Sequence, residues 1–495
     1  ITDILFRYKY LIYFSNKQLL FYITSVLLSV FMYILALILI RKNENRPVFK
    51  YTIVLSAAFY YTFTIFTSYV FEFSTGIFPN YYTLRYFKNE PANAFSLFTD
   101  SIHIWQIIIF TLLIFSFFYY FTVVSKTELL KKIYLKTKSP VLPVLIIILL
   151  VTLTINIHRS DQCMIVDVNF TVDLSRHLCE WNSSDDFSGN GLPLKKPLKL
   201  NKTGINPGFN VLLIIFESLR TQNMQIYGYS RETTPFLDSL SKSRPGNLYV
   251  FKNNYTVSTT TMLAVPAILT GVTPDQPKEF LESFPFIWEY AEMLNYRTFF
   301  ISSQSMKWYR FDKYYSLAKP DFFWNKDNSG MPSFNDFGVD DRLTVERLNS
   351  HITDIAGRPF FGVLQFNTNH FPYRVPEEDI KWDEKYIDKY DNSVLLQDAL
   401  LEKIFSHLSD LGLLKNTVVI MSGDHGEAFK EHNSIGHIDT YNTETVSIPL
   451  IIYIPPEINS RINASQLKSN TEFNTSNADI APTMINLLGL RNNRQ

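Results

Sequence analysis

Long uncharged runs dominate the first third of the chain. Leu19–Ile40 carries no charged residue over 22 positions, and a helix of that length, at about 1.5 Å per residue, crosses roughly 30 Å of hydrocarbon. Three further apolar runs follow at Tyr51–Val70, Ile102–Val124 and Val141–Ile157. Core helices of soluble domains seldom run so far without charge, so the pattern predicts a bundle of four transmembrane helices within residues 1–157.

The basic residues in the loops predict the orientation of this bundle. Arg41–Lys50 carries four basic residues and Ser125–Ser139 carries five lysines, and such residues accumulate on the cytoplasmic side of a membrane. Everything after Ile157 is therefore predicted to lie outside, and so is the N-terminus. We expect a fifth span to precede the sequence, with Ile1–Phe14 as its remnant; an interfacial amphipathic segment is the alternative for that stretch.

Residues 158–209 are polar and contain several prolines, so they are predicted to form a linker on the membrane surface. The two cysteines of the chain, Cys163 and Cys179, both fall in this stretch. Disulfides persist outside the cytoplasm, and we expect these two residues to form one. A free buried pair is the alternative.

From residue 210 onward, strand and helix patterns alternate, which predicts a C-terminal domain, residues 210–495, folded as an α/β sandwich around a mostly parallel sheet. The predicted strands are Val211–Phe216, Thr298–Ser302, Phe361–Phe366, Thr417–Met421 and Ile448–Ile454. The predicted helices are Thr234–Ser243, Glu282–Leu294, Asn392–Leu411 and Ala478–Leu488.

Composition changes this picture little. Hydrophobic residues make up 46% of the chain and aromatic residues 16%, which fits a membrane partner. Lys plus Arg and Asp plus Glu are both 46, for a formal net charge of zero. A nucleic-acid partner is therefore not indicated.

Acidic and histidine residues that could bind a metal follow the ends of two predicted strands. Glu217 follows the first strand directly, and Asp424-His425 follow the fourth within the stretch SGDHGEAFKEHNSIGH, which also contains His432 and His437. Open α/β sheets bind ligands at the carboxyl ends of their strands. Carboxylate and imidazole ligands suit zinc or manganese, so a metal site is predicted; a solvated carboxylate and a surface turn are the alternatives.

Two other stretches offer groups for phosphate chemistry. Four consecutive hydroxyl residues, Ser258–Thr261, precede an apolar helical run. Such a cluster is ordinarily a helix N-cap, but a hydroxyl at a helix N-terminus is also placed to attack a bound phosphate. His370 follows the third strand and, with His437, is predicted to bind a second metal or the substrate phosphate.

Several motifs resemble the alkaline phosphatase/sulfatase superfamily over about residues 210–490: NVLLIIFES, DHGEAFKEHNSIGH, SIPLIIYIP and ADIAPTMINLLG. The stretches ESLR, YGYSRETTP and TTTMLAVP look like the membrane phosphoethanolamine transferases of that superfamily. Counting back nine residues from Thr270 of the signature LTG places Thr261 at the nucleophile position. No cysteine lies near it, so a formylglycine sulfatase is not expected.

The resemblance implies roles residue by residue. Metal ligands carried over by position are Glu217, Thr261, Asp424 and His425. Catalytic or substrate-binding residues carried over are Thr261, His370, His437, Glu427 and Thr259. The sequence departs from the phosphoethanolamine transferases that act on lipid A in three places. Val257 and Ala267 stand where those enzymes have cysteines that flank the nucleophile. The segment 327–332 lacks the expected substrate lysine, and the loop around His370 reads NTNHFPY instead of the HGP form of those enzymes.

The implied function is transfer of phosphoethanolamine from a phospholipid such as phosphatidylethanolamine to an envelope acceptor such as lipid A, through a phosphothreonine at Thr261. We expect the chain in a bacterial inner membrane, with its catalytic domain in the periplasm. The alternatives are a phosphoglycerol transferase, a sulfatase-like phosphodiesterase or hydrolase, and a catalytically inactive lipid-binding protein.

Overall fold

The structure, a computed structural model, describes residues 16–75, 79, 84, 102, 104–128, 130, 164–179, 201–202, 208–307, 310–335, 338–433, 435–437, 441–459 and 461–491. The chain divides into two compact units, Ile1–Ser183 and Ser184–Gln495. The division falls within the predicted linker at 158–209.

Three long apolar helices form most of the described part of the first unit: α1 (Asn16–Lys42), α2 (Pro47–Thr75) and α3 (Ile104–Val124). By length and composition each is able to cross a membrane, which confirms the first three predicted spans. The fourth candidate, Val141–Ile157, lies outside the described residues, as do Ile1–Phe14 and Cys163.

A shorter helix, α4 (Val166–Cys179), occupies part of the polar stretch 158–209 that was predicted to be a linker. Val168 and Val172 are buried in one cluster with Leu28 of α1. The Asp167 carboxylate accepts a hydrogen bond from the Ser29 hydroxyl. Polar residues of this segment are thus satisfied inside a helical packing, so their polarity does not report solvent exposure there.

A seven-stranded sheet forms the centre of the second unit. Its strands lie in the order β3 (Leu248–Val250), β11 (Leu450–Tyr453), β8 (Thr417–Gly423), β2 (Asn210–Phe216), β7 (Phe360–Gln365), β5 (Arg297–Ser302) and β6 (Phe322–Trp324). All four pairings from β8 to β6 are parallel, whereas β11 runs antiparallel to both β8 and β3. The predicted mostly parallel sheet is confirmed.

Short strands and helices surround this sheet. The two-residue and three-residue strands are β1 Asn201–Lys202, β4 Asn253–Tyr255, β9 Ala428–Phe429, β10 Ile435–Gly436, β12 Asn474–Ser476 and β13 Leu490–Arg491. The helices are α5 Pro235–Ser243, α6 Thr261–Thr270, α7 Lys278–Ser283, α8 Ile287–Glu292, α9 Phe311–Ser316, α10 Lys326–Ser329, α11 Asp341–Asp354, α12 Tyr386–Asp410, α13 Thr443–Val446, α14 Pro456–Asn459, α15 Ala464–Asn470 and α16 Ile480–Leu487.

Strand β2 shows why the sequence reads as an unbroken apolar run. Val211, Leu213 and Ile215 belong to the hydrophobic cluster on one face of the sheet. The alternate residues Leu212 and Ile214 belong to the cluster on the other face. Helices α6, α8 and α16 contribute to the first cluster, and α5, α11 and α12 to the second. Both faces are covered, as expected for buried parallel strands.

The predicted helix Glu282–Leu294 is wrong as a single element. It is split into α7 and α8, because Pro285 disfavours helical backbone at the preceding Phe284, which is extended at φ −75° and ψ 145°. Strand β11 begins two residues later than predicted, directly after Pro449, which has no N–H to donate to a strand.

Candidate active site

The ends of β2 and β8 bring the predicted metal ligands together. These strands are parallel neighbours, with Phe216 paired to Gly423, so the next residues, Glu217 and Asp424, leave the sheet at the same edge. The side chains of Glu217, Asp424 and His425 are at most 1% exposed. One ligand atom from each lies within 4.8 Å of the others.

The geometry of this triad suits a metal ion. His425 Nε2 lies 3.4 Å from Glu217 Oε1 and 3.5 Å from Asp424 Oδ2. His425 Nδ1 donates to the Gly426 carbonyl at 3.0 Å, which leaves Nε2 facing the site as the nitrogen that a metal would take. Within the described residues, Asp424 Oδ2 is buried and accepts no hydrogen bond. A buried carboxylate oxygen without a donor is what a metal ligand presents before the ion binds.

The titration of the triad reflects crowded charge. Burial raises the pKa of Asp424 to about 7, helped by the negative charge of Glu217. Burial also acts to raise the pKa of Glu217, but the hydrogen bond and charge of His425 outweigh it and lower the value to about 2. Burial opposes charge on His425, yet the two carboxylates raise its pKa to about 9. The pocket therefore attracts positive charge, which a divalent cation supplies.

Thr261 places a hydroxyl against this triad. It is the first residue of α6, after Thr260 in the extended N-cap position. Its Oγ1 donates to Glu217 Oε1 at 2.9 Å and lies 3.2 Å from His425 Nε2. Ser258 and Thr260 instead place their hydroxyl oxygens 3.3 Å from each other, and Thr259 is buried beside them. Thr261 is therefore the member of the hydroxyl run that contacts the ligands.

His437 and His370 lie next to the triad. The ring centroid of His437 is 4.0 Å from that of His425, and the His370 ring is 6.4 Å from His437. Burial and the charge of His425 lower the pKa of His437. His370 Nδ1 donates to the carbonyl of Phe371 at 2.9 Å, so the chemistry of that ring falls to Nε2.

Glu427 is placed behind His437. Its carboxylate Oε1 is 3.2 Å from His437 Nδ1, and its side chain is buried. Its backbone carbonyl accepts from Arg220 Nη1 at 2.8 Å. This arrangement orients the His437 ring, in addition to the substrate contact that the sequence predicts for Glu427.

His432 is separated from the triad although it lies between His425 and His437 in the sequence. Its side chain is 63% exposed, and its Nδ1 lies 2.9 Å from Glu444 Oε1. Its backbone φ of 50° is left-handed. The density of histidines in this stretch thus overstates the number near the metal ligands.

Sequence reasoning missed three residues that hold the ligands. Gln304 Nε2 donates to Glu217 Oε2 at 2.6 Å, the Ser218 backbone N–H donates to Asp424 Oδ1 at 3.0 Å, and Asn477 Nδ2 donates to the Asp424 carbonyl at 3.0 Å. Gln304 follows the end of β5, so the rule that identified Glu217 and Asp424 applied to it as well. Asn477 carried no such signal.

Residues 209–490 match the family model described as Sulfatase. This chain belongs to the sulfatase family. The match covers more than half of the chain and includes every residue of the candidate active site. The predicted alkaline phosphatase/sulfatase domain is confirmed.

Two of the relatives that the chain resembles have names that state different activities. The chain is 24% identical over 299 residues to the Kdo(2)-lipid A phosphoethanolamine 7''-transferase of Salmonella typhimurium, covering 56% of this chain and 50% of that protein. It is 25% identical over 328 residues to the lipoteichoic acid synthase-like YvgJ of Bacillus subtilis, covering 59% of this chain and 49% of that protein. The chain thus spans about half the length of these relatives.

Two solved structures share the fold. The integral membrane lipooligosaccharide phosphoethanolamine transferase A from Neisseria meningitidis aligns with a TM-score of 0.60 at 16% identity, covering 87% of this chain and 82% of that one. The periplasmic domain of EptC from Escherichia coli, in complex with zinc, aligns with a TM-score of 0.51 at 21% identity, covering 61% and 88%. The predicted combination of an N-terminal helical membrane part and an alkaline phosphatase-like domain is confirmed.

Proposed function

We propose that this protein is a metal-dependent transferase that moves phosphoethanolamine from a phospholipid to an envelope acceptor. The observation that carries the proposal is the contact of the Thr261 hydroxyl with both Glu217 and His425. Three groups lie together here: a helix N-terminus, a hydroxyl and a candidate metal triad. Phosphoryl transfer through a covalent intermediate uses these groups to bind the phosphate, attack phosphorus and stabilise the charge.

In the first half-reaction, Oγ of Thr261 forms a bond to phosphorus, and the bond from phosphorus to the diacylglycerol oxygen breaks. The hydroxyl of Thr261 would release its proton to solvent before the attack, because a cation held by the triad would lower its pKa. His370 or His437 protonates the leaving oxygen. In the second half-reaction, an acceptor oxygen attacks phosphorus, its proton passes to a histidine, and the bond to Thr261 breaks.

Glu217, Asp424 and His425, together with Thr261, would hold the ion. We favour zinc over manganese because a histidine takes part and because a relative of this fold was solved with zinc. When bound, it supplies positive charge that lowers the pKa of the Thr261 hydroxyl and stabilises the phosphate oxygens. We assign His370, His437, Glu427 and Thr259 to binding of the transferred group.

The donor and the location follow from the same proposal. A phospholipid donor such as phosphatidylethanolamine is drawn from the membrane that α1, α2 and α3 are able to cross. We place the chain in a bacterial inner membrane as a multi-pass protein, with residues 210–495 in the periplasm. The named relative from Salmonella typhimurium supports lipid A as acceptor.

A phosphoglycerol transferase is the second candidate function. It uses the same threonine and metal with a different donor, and it is favoured by the similarity to a lipoteichoic acid synthase-like protein. The two candidates differ only in the head group that Thr261 receives.

The adduct on Thr261 tests both candidates. Full-length protein in detergent is incubated with phosphatidylethanolamine or with phosphatidylglycerol, and its peptides are analysed by mass spectrometry. Phosphoethanolamine adds about 123 Da to the Thr261 peptide and phosphoglycerol about 154 Da, by the composition of the threonine esters. Thr259→Ala and Thr260→Ala retain the adduct, and Thr261→Ala loses it. Turnover without an adduct would identify a hydrolase.

A further inference from the structure

Gln304 is a buried amide at the carboxyl edge of the sheet, two residues beyond the end of β5. Its side chain is 4% exposed. Nε2 donates to Glu217 Oε2 at 2.6 Å and approaches the Phe366 carbonyl at 3.4 Å. Gln304 is not among the residues to which the resemblance gives a role, and it is not one of the candidate metal ligands.

A line of hydrogen bonds fixes the orientation of this amide. The Ser302 hydroxyl donates to Gln365 Oε1 at 3.2 Å, and Gln365 Nε2 donates to Gln304 Oε1 at 3.1 Å. Because Oε1 of Gln304 accepts, its Nε2 faces Glu217 as a donor. The line crosses three neighbouring strands, β5, β7 and β2, at their carboxyl ends.

The two carboxylate oxygens of Glu217 therefore have different partners. Oε2 is occupied by Gln304, whereas Oε1 is the atom near Thr261 Oγ1 and His425 Nε2. A carboxylate held in this way offers one oxygen to a metal and cannot rotate to offer both. An amide also achieves this without adding positive charge beside a cation, as a lysine or arginine would.

We propose that Gln304 is a positioning residue for the metal ligand Glu217, and that it sets the affinity of the site for a divalent ion. This inference rests on the proposed function, in which Glu217 binds metal. Partners of this kind, which orient a ligand from behind, change metal affinity by about 10- to 100-fold when they are removed.

The test measures zinc affinity directly. Full-length protein in detergent is stripped of metal, and zinc binding is followed in competition with a chromophoric chelator. Gln304→Leu removes the donor at nearly constant volume and is expected to bind zinc about 10- to 100-fold more weakly. The control is Gln397→Leu in α12, another buried glutamine, whose amide makes no hydrogen bond with the described residues. The control keeps wild-type affinity.

Unchanged zinc affinity in folded Gln304→Leu overturns the inference. The unfolding midpoint of the metal-free proteins separates this role from a structural one, because a structural role lowers the midpoint without changing affinity. If Gln304→Leu does not fold, Gln304→Asn decides: its amide is one methylene shorter, and wild-type affinity there also overturns the inference. A different result would contradict the proposed function itself: wild-type protein that binds no zinc, or that binds zinc as tightly as Asp424→Asn does.

Discussion

The Thr261 hydroxyl donates to the Glu217 carboxylate across 2.9 Å, although the two residues are 44 positions apart and lie on different elements. As the proposed nucleophile, this hydroxyl needs no rearrangement to reach an ion held by Glu217. We expect Thr261→Ala to lower transfer activity by at least about 1000-fold and stability by only about 1 kcal/mol, for the lost hydrogen bond. Thr261→Ser keeps the hydroxyl and retains measurable transfer. Loss of activity in Thr261→Ser as complete as in Thr261→Ala would argue against nucleophilic attack by the hydroxyl.

Asp424→Asn is predicted to abolish zinc binding while preserving the fold. In the wild type, Asp424 Oδ1 accepts hydrogen bonds from the backbone N–H groups of Ser218 and His425 at 3.0 and 2.7 Å. The amide oxygen of the variant can accept the same two bonds. The charged Oδ2 is lost, and with it a metal ligand. Metal analysis of the purified full-length protein checks this. Asp410→Asn, at the exposed end of α12, serves as the control and should keep its zinc.

Gly362→Ala is predicted to destabilise the second unit. A Cβ at this position of β7 would lie 2.0 Å from the ring of Phe299 on the neighbouring strand. That ring is packed against Phe360 at 5.7 Å between centroids, so it has little room to move. We expect a loss of about 1–3 kcal/mol, typical of overpacking. Gly246→Ala, where a Cβ meets nothing within 4 Å, should leave the unfolding midpoint nearly unchanged.

Asp398 is predicted to make stability depend on pH. This carboxylate of α12 accepts from the N–H groups of Phe236 and Leu237 at the start of α5. Burial, with the charges of Glu402 and Asp238, raises its pKa to about 7. An unfolded aspartate titrates near about 3.9, so the folded state holds the proton more tightly and loses stability as pH rises from about 4 through 7.

The midpoint of thermal unfolding, measured from pH 5 to pH 8, checks this dependence. The wild-type midpoint should fall over that range, and Asp398→Asn should fall less steeply because its amide does not ionise. Equal slopes for the two proteins would show that Asp398 titrates normally in the folded state.

The sequence predicted best where physical constraints are local. Fully buried parallel strands require continuous apolar runs, so β2 and β8 were identified, and the polar residues just beyond their ends were identified as candidate metal ligands. Helix Glu282–Leu294 was mispredicted because its apolar spacing outweighed Pro285 in the pattern. Strands β3 and β6 were missed, since three residues carry too little periodicity.

The partners of residues that act through another side chain were beyond this reasoning. Gln304 lies just beyond the end of β5, where the rule for strand ends applied, but its contact with Glu217 follows only from the adjacency of β5, β7 and β2. Asn477 reaches Asp424 from a segment 53 positions later. Their roles depend on the strand order, which the local pattern does not encode.

The parallel pairing of β2 with β8 also determines when, during synthesis of the chain, the candidate active site can form. Ser218 and Asp424, which touch in the folded protein, are 206 positions apart. A growing chain therefore presents Glu217 and Thr261 long before Asp424 and His425 exist. At typical synthesis rates of about 5–20 residues per second, the 164 positions from Thr261 to His425 take at least about eight seconds. A half-made chain has no triad with which to capture an ion, so under the proposed function the ion is acquired only by the nearly complete domain.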